Sequence, residues 1–319
     1  MNRRELIQKS ALLGVAATVG SPSAVWRTQP AGPRLHRKAS VLSPIAAPAE
    51  GNLPVAFVLG RGAVVLDFAG PLEVFAGAST KNGQPLFAPY MVAASKEPVT
   101  VGGGMKITPD HDFKSAPQPK LVVIPAMDMS SVPQEMYEWI RTASKATDVT
   151  MSVCNGAYLL AETGLLDGKS ATCHHGGFLM FASMYPKVHL KRGARFVEER
   201  NLASAGGVSS GIDLALRVVE RYVGYDLTMQ VVDGMEYQGK GWLDPSSNVK
   251  YARFPPFTEE NPICPSCLMK VSNRSIKSSH KGKTYYFCST ADKELFDKHT
   301  DIFDRFLAED LAVKPQSNV

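Results

Sequence analysis

The chain has 319 residues, room for one large domain or two smaller ones, and its 44% hydrophobic content is that of an ordinary globular protein. Its formal net charge of +5 is mild, and part of it comes from Arg3, Arg4, Arg27, Arg34, Arg37 and Lys38, ahead of the patterned sequence. That excludes the concentrated basic face of a nucleic-acid binder, and no apolar run has the length of a transmembrane helix. The five cysteines are uneven: Cys154 and Cys173 lie mid-chain, while Cys264, Cys267 and Cys288 cluster near the end. An odd count speaks against a pure disulfide framework and for a free thiol together with a metal cluster.

At the amino end, Arg3-Arg4 precedes the weakly apolar Ser10-Ala11-Leu12-Leu13-Gly14-Val15-Ala16-Ala17. This order resembles a twin-arginine export signal, with cleavage expected after Ala24 or Ala49 and a periplasmic or extracellular destination. The other reading is an amphipathic tail that happens to contain the arginine pair. Residues 21–52 are rich in Pro, Ala and Ser and read as linker, so residues 1–52 form a leader.

Val55-Ala56-Phe57-Val58-Leu59, between Pro54 and Gly60, has the continuous apolar pattern of a strand buried on both faces. Pro71 suits the first position of a helix, which leaves Asp67 in the preceding loop, near the carboxyl edge of the sheet. A simple cap aspartate is the alternative there. Tyr90–Ala94 reads as a strand and Thr100–Met105 as a glycine-rich hairpin without the Gly-Lys-Ser/Thr ending of a phosphate loop. Leu121–Pro125 is another buried strand, with Ala126 and Met127 at its carboxyl end, and Met136–Arg141 has helical spacing.

Val149–Val153 is a β-branched apolar run that stops at Cys154; Asn155 and Gly156 follow, and a helical pattern begins at once and ends at Gly164. A cysteine at such a strand–helix corner projects where α/β folds bind ligands, and the first amides of the helix are expected to favour its thiolate. A buried, inert cysteine is the competing reading. Short strands follow at Ala171–Thr172, Arg195–Glu199 and Leu202–Ala205. Cys173 reads as a core cysteine, His174 as either a structural or a site residue, and His175 as a rim residue. The last helix of the region, Leu214–Val223, shows an apolar face at Leu214, Val218 and Arg221–Tyr222 with charges expected opposite. Alternating buried strands and amphipathic helices predict an α/β sandwich with a mostly parallel sheet over residues 53–240.

Four pieces in order carry a resemblance: Leu66-Asp67-Phe68-Ala69-Gly70-Pro71-Leu72-Glu73, Val153-Cys154-Asn155-Gly156-Ala157, Gly164-Leu165-Leu166-Asp167-Gly168-Lys169, and Ser204-Ala205-Gly206-Gly207-Val208-Ser209-Ser210-Gly211-Ile212-Asp213. Together they resemble the PfpI/ThiJ superfamily of flavodoxin-like folds, and within it the branch holding the isonitrile hydratases and the amidase-like domains of some transcription regulators. The resemblance implies helices on both faces of the sheet, Cys154 as nucleophile, Asp67 as the acid/base that touches its sulfur, and His174 beside them. It implies a pocket and oxyanion hole around Ala126, Met127, Asn155 and Gly156, a small electrophilic substrate, no cofactor in this domain, and a homodimer. The glyoxalase/deglycase branch, which acts on 2-oxoaldehydes, carries glutamate where this chain has Asp67. This chain departs from the family with Pro125-Ala126-Met127 in place of Pro-Gly-Gly, and with Asn155 where hydratases tend to have threonine. The expected activity is hydratase/lyase chemistry; the alternatives are a non-enzymatic metal-handling or redox-sensing scaffold and a glyoxalase/deglycase-type activity on 2-oxoaldehydes.

After a linker at residues 241–261, Cys264-Pro265-Ser266-Cys267, a hairpin, Cys288 and a helix bearing Phe296, Phe303 and Phe306 resemble a YHS domain over residues 262–310, with residues 311–319 as a tail. A fourth family cysteine is replaced by Asp292. The resemblance implies zinc or another transition metal on Cys264, Cys267, Cys288 and Asp292. A disulfide among these cysteines is the competing reading. So short a segment holds too little core to be comfortable without a metal or a docking surface.

Overall fold

The computed structural model describes residues 43–48 and 52–312. The twin-arginine pair, both cleavage positions at Ala24 and Ala49, and the tail from residue 313 onward lie outside the described residues. No described helix is long and apolar enough to cross a membrane.

The centre is a seven-stranded sheet in the order β10-β11-β7-β6-β1-β2-β5. Its strands are β1 (Leu53–Val58), β2 (Phe87–Ala93), β5 (His111–Asp112), β6 (Leu121–Ile124), β7 (Val149–Val153), β10 (Phe196–Glu199) and β11 (Leu202–Ala205). Every neighbouring pair is parallel except β10 with β11. The hairpin expected at the glycine run is present, formed by β3 (Val99–Thr100) and β4 (Lys106–Ile107). A short parallel pair, β8 (Ser170–Ala171) with β9 (His189–Leu190), leads toward the histidines.

Strand alternation divides the apolar residues between two cores. Leu121 and Val123 of β6 face one side, with Phe57, Phe75, Leu214 and Val218; Val122 and Ile124 face the other, with Ile140, Leu160 and Phe181. The first side is covered by α1 (Val65–Gly77), α5 (Ser210–Val223) and α6 (Tyr225–Gly234). The second is covered by α2 (Gln134–Ala143), α3 (Gly156–Glu162) and α4 (Phe178–Met184). The chain thus has the mostly parallel α/β sandwich with helices on both faces.

Two local expectations are corrected. Helix α1 begins at Val65, so Asp67 lies in its first turn and not in a loop, and Pro71 lies inside the helix. Proline has no N–H to offer the carbonyl four residues back, so the carbonyl of Asp67 loses its helical donor. In α5 the charges do not face water: Arg217, Glu220 and Arg221 are at most 9% exposed. Arg217 bonds Glu198 at 3.0 Å and Glu220 at 2.8 Å, and Arg221 bonds Glu198 at 3.2 Å, so each buried charge has an opposite partner.

The carboxyl-terminal part consists of the antiparallel hairpin β12 (Lys277–His280) and β13 (Lys283–Tyr286), then α7 (Thr290–Lys298) and α8 (Thr300–Ala312). Phe287, Phe296, Phe303 and Phe306 join the same apolar cluster as Leu159, Phe178 and Phe181 of the main sandwich. The stretch between the two parts buries Trp242, Leu243, Asn248 and Phe257. Arg192 fastens α8 down: its guanidinium donates to the carbonyls of Ala252 (2.8 Å) and Phe306 (2.9 Å) and to Asp310 (2.8 Å), and lies 4.2 Å from the ring centre of Phe306.

Candidate active site and carboxyl-terminal cysteine cluster

Strand β7 delivers Cys154 to the carboxyl edge of the sheet, and the chain turns there sharply enough to give Cys154 a φ of 58°. A non-glycine residue in that region costs on the order of 1–3 kcal/mol and persists only where its surroundings hold it. They do: the Cys154 N–H is shared between the carbonyls of Ala205 (3.1 Å) and Gly206 (3.0 Å) at the end of β11. Gly156 lets α3 press onto β6, since a Cβ there would collide with the Ile124 carbonyl and lie 2.8 Å from the Pro125 carbonyl carbon.

Asp67 is fully buried beneath this corner. Its Oδ2 accepts the Ala126 N–H at 3.0 Å, while Oδ1 has no hydrogen-bond partner among the described residues. Burial raises its pKa to about 7, against the opposing pull of the Ala126 N–H. Cys154 is 6% exposed, and its thiol is pushed up to about 11, by burial first and by the charge of Asp67 second. The backbone N–H groups of Asn155 and Val208 face the sulfur and pull the other way, without prevailing. The expected preference for thiolate from the helix end is therefore overturned: desolvation and a neighbouring carboxylate outweigh two amides. Since each charge disfavours the other, Asp67 and Cys154 together hold one proton and one negative charge between about pH 7 and 11.

The remaining expected site residues divide. The Ala126 N–H is already bound to Asp67, so it is not free for a substrate oxygen. The Met127 thioether lies against Gly60, filling the space at the end of β1. Asn155 is exposed, its side-chain oxygen beside Gly177. His174 is half-buried, and its Nδ1 accepts the Gly176 N–H at 3.1 Å, which places the proton of the neutral ring on Nε2. Burial and the neighbouring His175 lower its pKa, favouring that neutral ring.

His174 and His175 line a cleft of about 260 Å³ with Arg195, Val208, Asn248 and Tyr251. Val208 connects the cleft to the sulfur through its amide. Sequence reading passed over Val208, although the Gly206-Gly207 pair ahead of a helix marks such an amide turn. It also passed over Arg195, whose guanidinium donates to the buried Asp213 (2.6 Å) and to Asn248 (3.2 Å) at the cleft wall.

Residues 54–221 match the DJ-1/PfpI family. The chain belongs to that family. Isonitrile hydratase from Pseudomonas putida is 27% identical over 236 residues, 73% of this chain and 93% of that enzyme. The HTH-type transcriptional regulator CdhR from Pseudomonas aeruginosa is 27% identical over 177 residues, 55% of this chain and only 52% of the regulator. Among solved structures, a ThiJ/PfpI family protein from Pseudomonas syringae shares the fold with a TM-score of 0.52 at 22% identity, covering 81% of this chain and 91% of its own. An enzyme and a transcriptional regulator are thus equally similar to this chain, at 27% identity each.

The family match ends before the carboxyl-terminal cysteines. The Cys264 N–H donates to the Met269 carbonyl (2.9 Å) and the Leu268 N–H returns to the Cys264 carbonyl (2.8 Å), closing a tight knuckle in which Leu268 has a φ of 60°. Hairpin β12–β13 and the start of α7 bring Cys288 and Asp292 to the knuckle, and one ligand atom from each of Cys264, Cys267, Cys288 and Asp292 lies within 4.8 Å of all the others. All three cysteines are free thiols. The sulfurs of Cys267 and Cys288 are 3.7 Å apart. Tetrahedral zinc with bonds of about 2.3 Å sets its sulfurs about 3.8 Å apart, so this donor set fits such an ion.

Proposed function

We propose that the chain is a cysteine-dependent addition enzyme of the isonitrile-hydratase type. The observation that carries the reading is the Cys154 corner, held at a φ of 58° over a buried Asp67 whose Oδ1 has no hydrogen-bond partner among the described residues. A carboxyl with a pKa of about 7 beside a poised thiol is suited to pass protons at neutral pH. In this reading Asp67 takes the Cys154 proton as the sulfur adds to the terminal carbon of R–NC, and returns it to that carbon. Water then adds to the same carbon, nitrogen gains a proton and the C–S bond breaks, leaving an N-substituted formamide and the thiol. The amides of Asn155 and Val208 hold the sulfur while it is charged.

The 27% identity to an isonitrile hydratase across most of both chains supports this reading, and aspartate rather than glutamate at position 67 favours it over 2-oxoaldehyde chemistry. A second reading, a non-enzymatic scaffold, is favoured by the thiol pKa of about 11, which leaves Cys154 little thiolate, and by the Ala126 amide already bound to Asp67. Wild type and Cys154→Ala are assayed with small isonitriles and with 2-oxoaldehydes. Isonitrile turnover lost in Cys154→Ala supports the hydratase; turnover of neither class by the wild type supports the non-enzymatic scaffold.

We also assign the cluster of Cys264, Cys267, Cys288 and Asp292 to a structural zinc-type ion, in the manner of a YHS domain. Its closed, four-donor arrangement leaves no position for substrate. The ion would hold the knuckle to the hairpin. Export by the twin-arginine route and a homodimer complete the proposal, and cell fractionation and light scattering test them.

A further inference from the structure

One short turn touches both the cysteine cluster and the Cys154 corner. It runs from His174 through Gly176 to Gly177, between β8 and α4. On one side, the carbonyl of Cys267 packs so closely on Gly176 that a Cβ there would lie 2.9 Å from it. On the other side, the Gly177 carbonyl accepts the Tyr158 hydroxyl of α3 at 2.7 Å, and a Cβ on Gly177 would lie 2.9 Å from the side-chain oxygen of Asn155. Within the turn, the Gly176 N–H fixes the His174 ring. The same residue, Cys267, thus offers its sulfur to the cluster and its carbonyl to the turn.

We propose that metal binding at the carboxyl-terminal cluster orders the His174–Gly177 turn through the Cys267–Gly176 contact, so that the cluster sets the geometry of the Cys154 site. The proposal rests on the zinc assignment above, not on the hydratase reading. Its physical basis is that Cys288 is exposed and Cys267 partly so, and neither is pinned by a disulfide. Without an ion, only a weak thiol contact joins the two sulfurs, and the position of the knuckle against the hairpin rests on its own backbone hydrogen bonds and on the Ser266 hydroxyl bond to the Asp292 carbonyl (2.6 Å). With an ion, four bonds fix the knuckle, and the glycine turn, which has no side chain to keep it away, is clamped between knuckle and elbow helix. The carboxyl-terminal aromatics share one apolar cluster with α3 and α4, so a shift in the knuckle is not absorbed in solvent.

The test is amide hydrogen exchange followed by mass spectrometry on the full chain, metal-free and loaded with zinc alone, with zinc content measured on the same samples. Zinc is expected to slow exchange in residues 172–179 by about tenfold or more, and to leave residues 53–77 unchanged. Cys288→Ser, which removes one ligand, is expected to lose that protection. Gly176→Ala keeps all four ligands and forces the turn off the Cys267 carbonyl; it is expected to take up stoichiometric zinc without protecting 172–179. Stoichiometric zinc with unchanged exchange at 172–179 in the wild type overturns the coupling and leaves the zinc assignment standing. Full protection in Gly176→Ala likewise overturns it. A chain that takes up no zinc overturns both. If Gly176→Ala does not fold, the wild-type and Cys288→Ser comparison decides.

Discussion

Replacing Asp67 with asparagine should make the protein more stable at alkaline pH and change nothing of that kind in acid. Asp67 is fully buried, and its pKa rises from 3.8 to about 7 on folding. Below about pH 4 the folded and unfolded chains both carry the proton, so the carboxyl contributes no pH-dependent difference. Between about pH 4 and 7 the unfolded chain has released the proton and the folded chain has kept it, so stability falls with rising pH. A rise of about 3 pH units at 1.36 kcal/mol each makes the full cost about 4 kcal/mol, reached above pH 7. Asp67→Asn carries no proton to lose and escapes this cost. Urea unfolding of wild type and variant across about pH 4 to 8.5 isolates the effect, because all other groups cancel in the difference. The stability of the variant relative to wild type is expected to climb by about 4 kcal/mol across that range. A difference that stays flat, or falls, refutes the placement of Asp67 as a desolvated acid.

Three further outcomes follow from the same geometry. The kcat/KM of the wild type for a small isonitrile should rise through about pH 7 and fall again toward about pH 11, the window in which the pair holds one proton, and Asp67→Asn should lose the lower limb. Gly156→Ala should give little soluble protein or lose about 3 kcal/mol in urea unfolding, because its Cβ meets backbone that has no free rotamer. Arg192→Ala should lower stability by about 3 kcal/mol, because it removes the charge partner of Asp310, which keeps only the Phe254 N–H, and a donor to two carbonyls; limited proteolysis should then cut first near α8.

The corner at Cys154 was legible because three local signals agree: an apolar β-branched run, a small-residue turn and an immediate helical pattern. Continuous apolar strands likewise announced a sheet covered on both faces. The direction of the thiol's pKa was not legible, because it depends on how deeply the corner is covered and on where Asp67 points. Asp67 itself was displaced onto a helix because Pro71 normally marks a helix start, whereas here the helix tolerates it in its interior. The charges of α5 read as a solvated face; only the partner strand β10, with Glu198, shows that they are buried pairs. The donor set of Cys264, Cys267, Cys288 and Asp292 was readable through the resemblance to a YHS domain, which put Asp292 at the fourth position. The contact of Cys267 with Gly176 was not, because it joins the backbone carbonyl of one turn to a glycine of another, with no side chain to announce it.

The central claim is that Cys154 adds to the substrate with the help of Asp67. Rapid acid quench of the wild type with a small isonitrile, followed by mass spectrometry of its peptides, reads that step directly. The account predicts a transient adduct on the peptide holding Cys154 with the added mass of the whole isonitrile, and neither adduct nor turnover in Cys154→Ala. Turnover that survives in Cys154→Ala, or an adduct confined to Cys173 or the carboxyl-terminal cysteines, would contradict it.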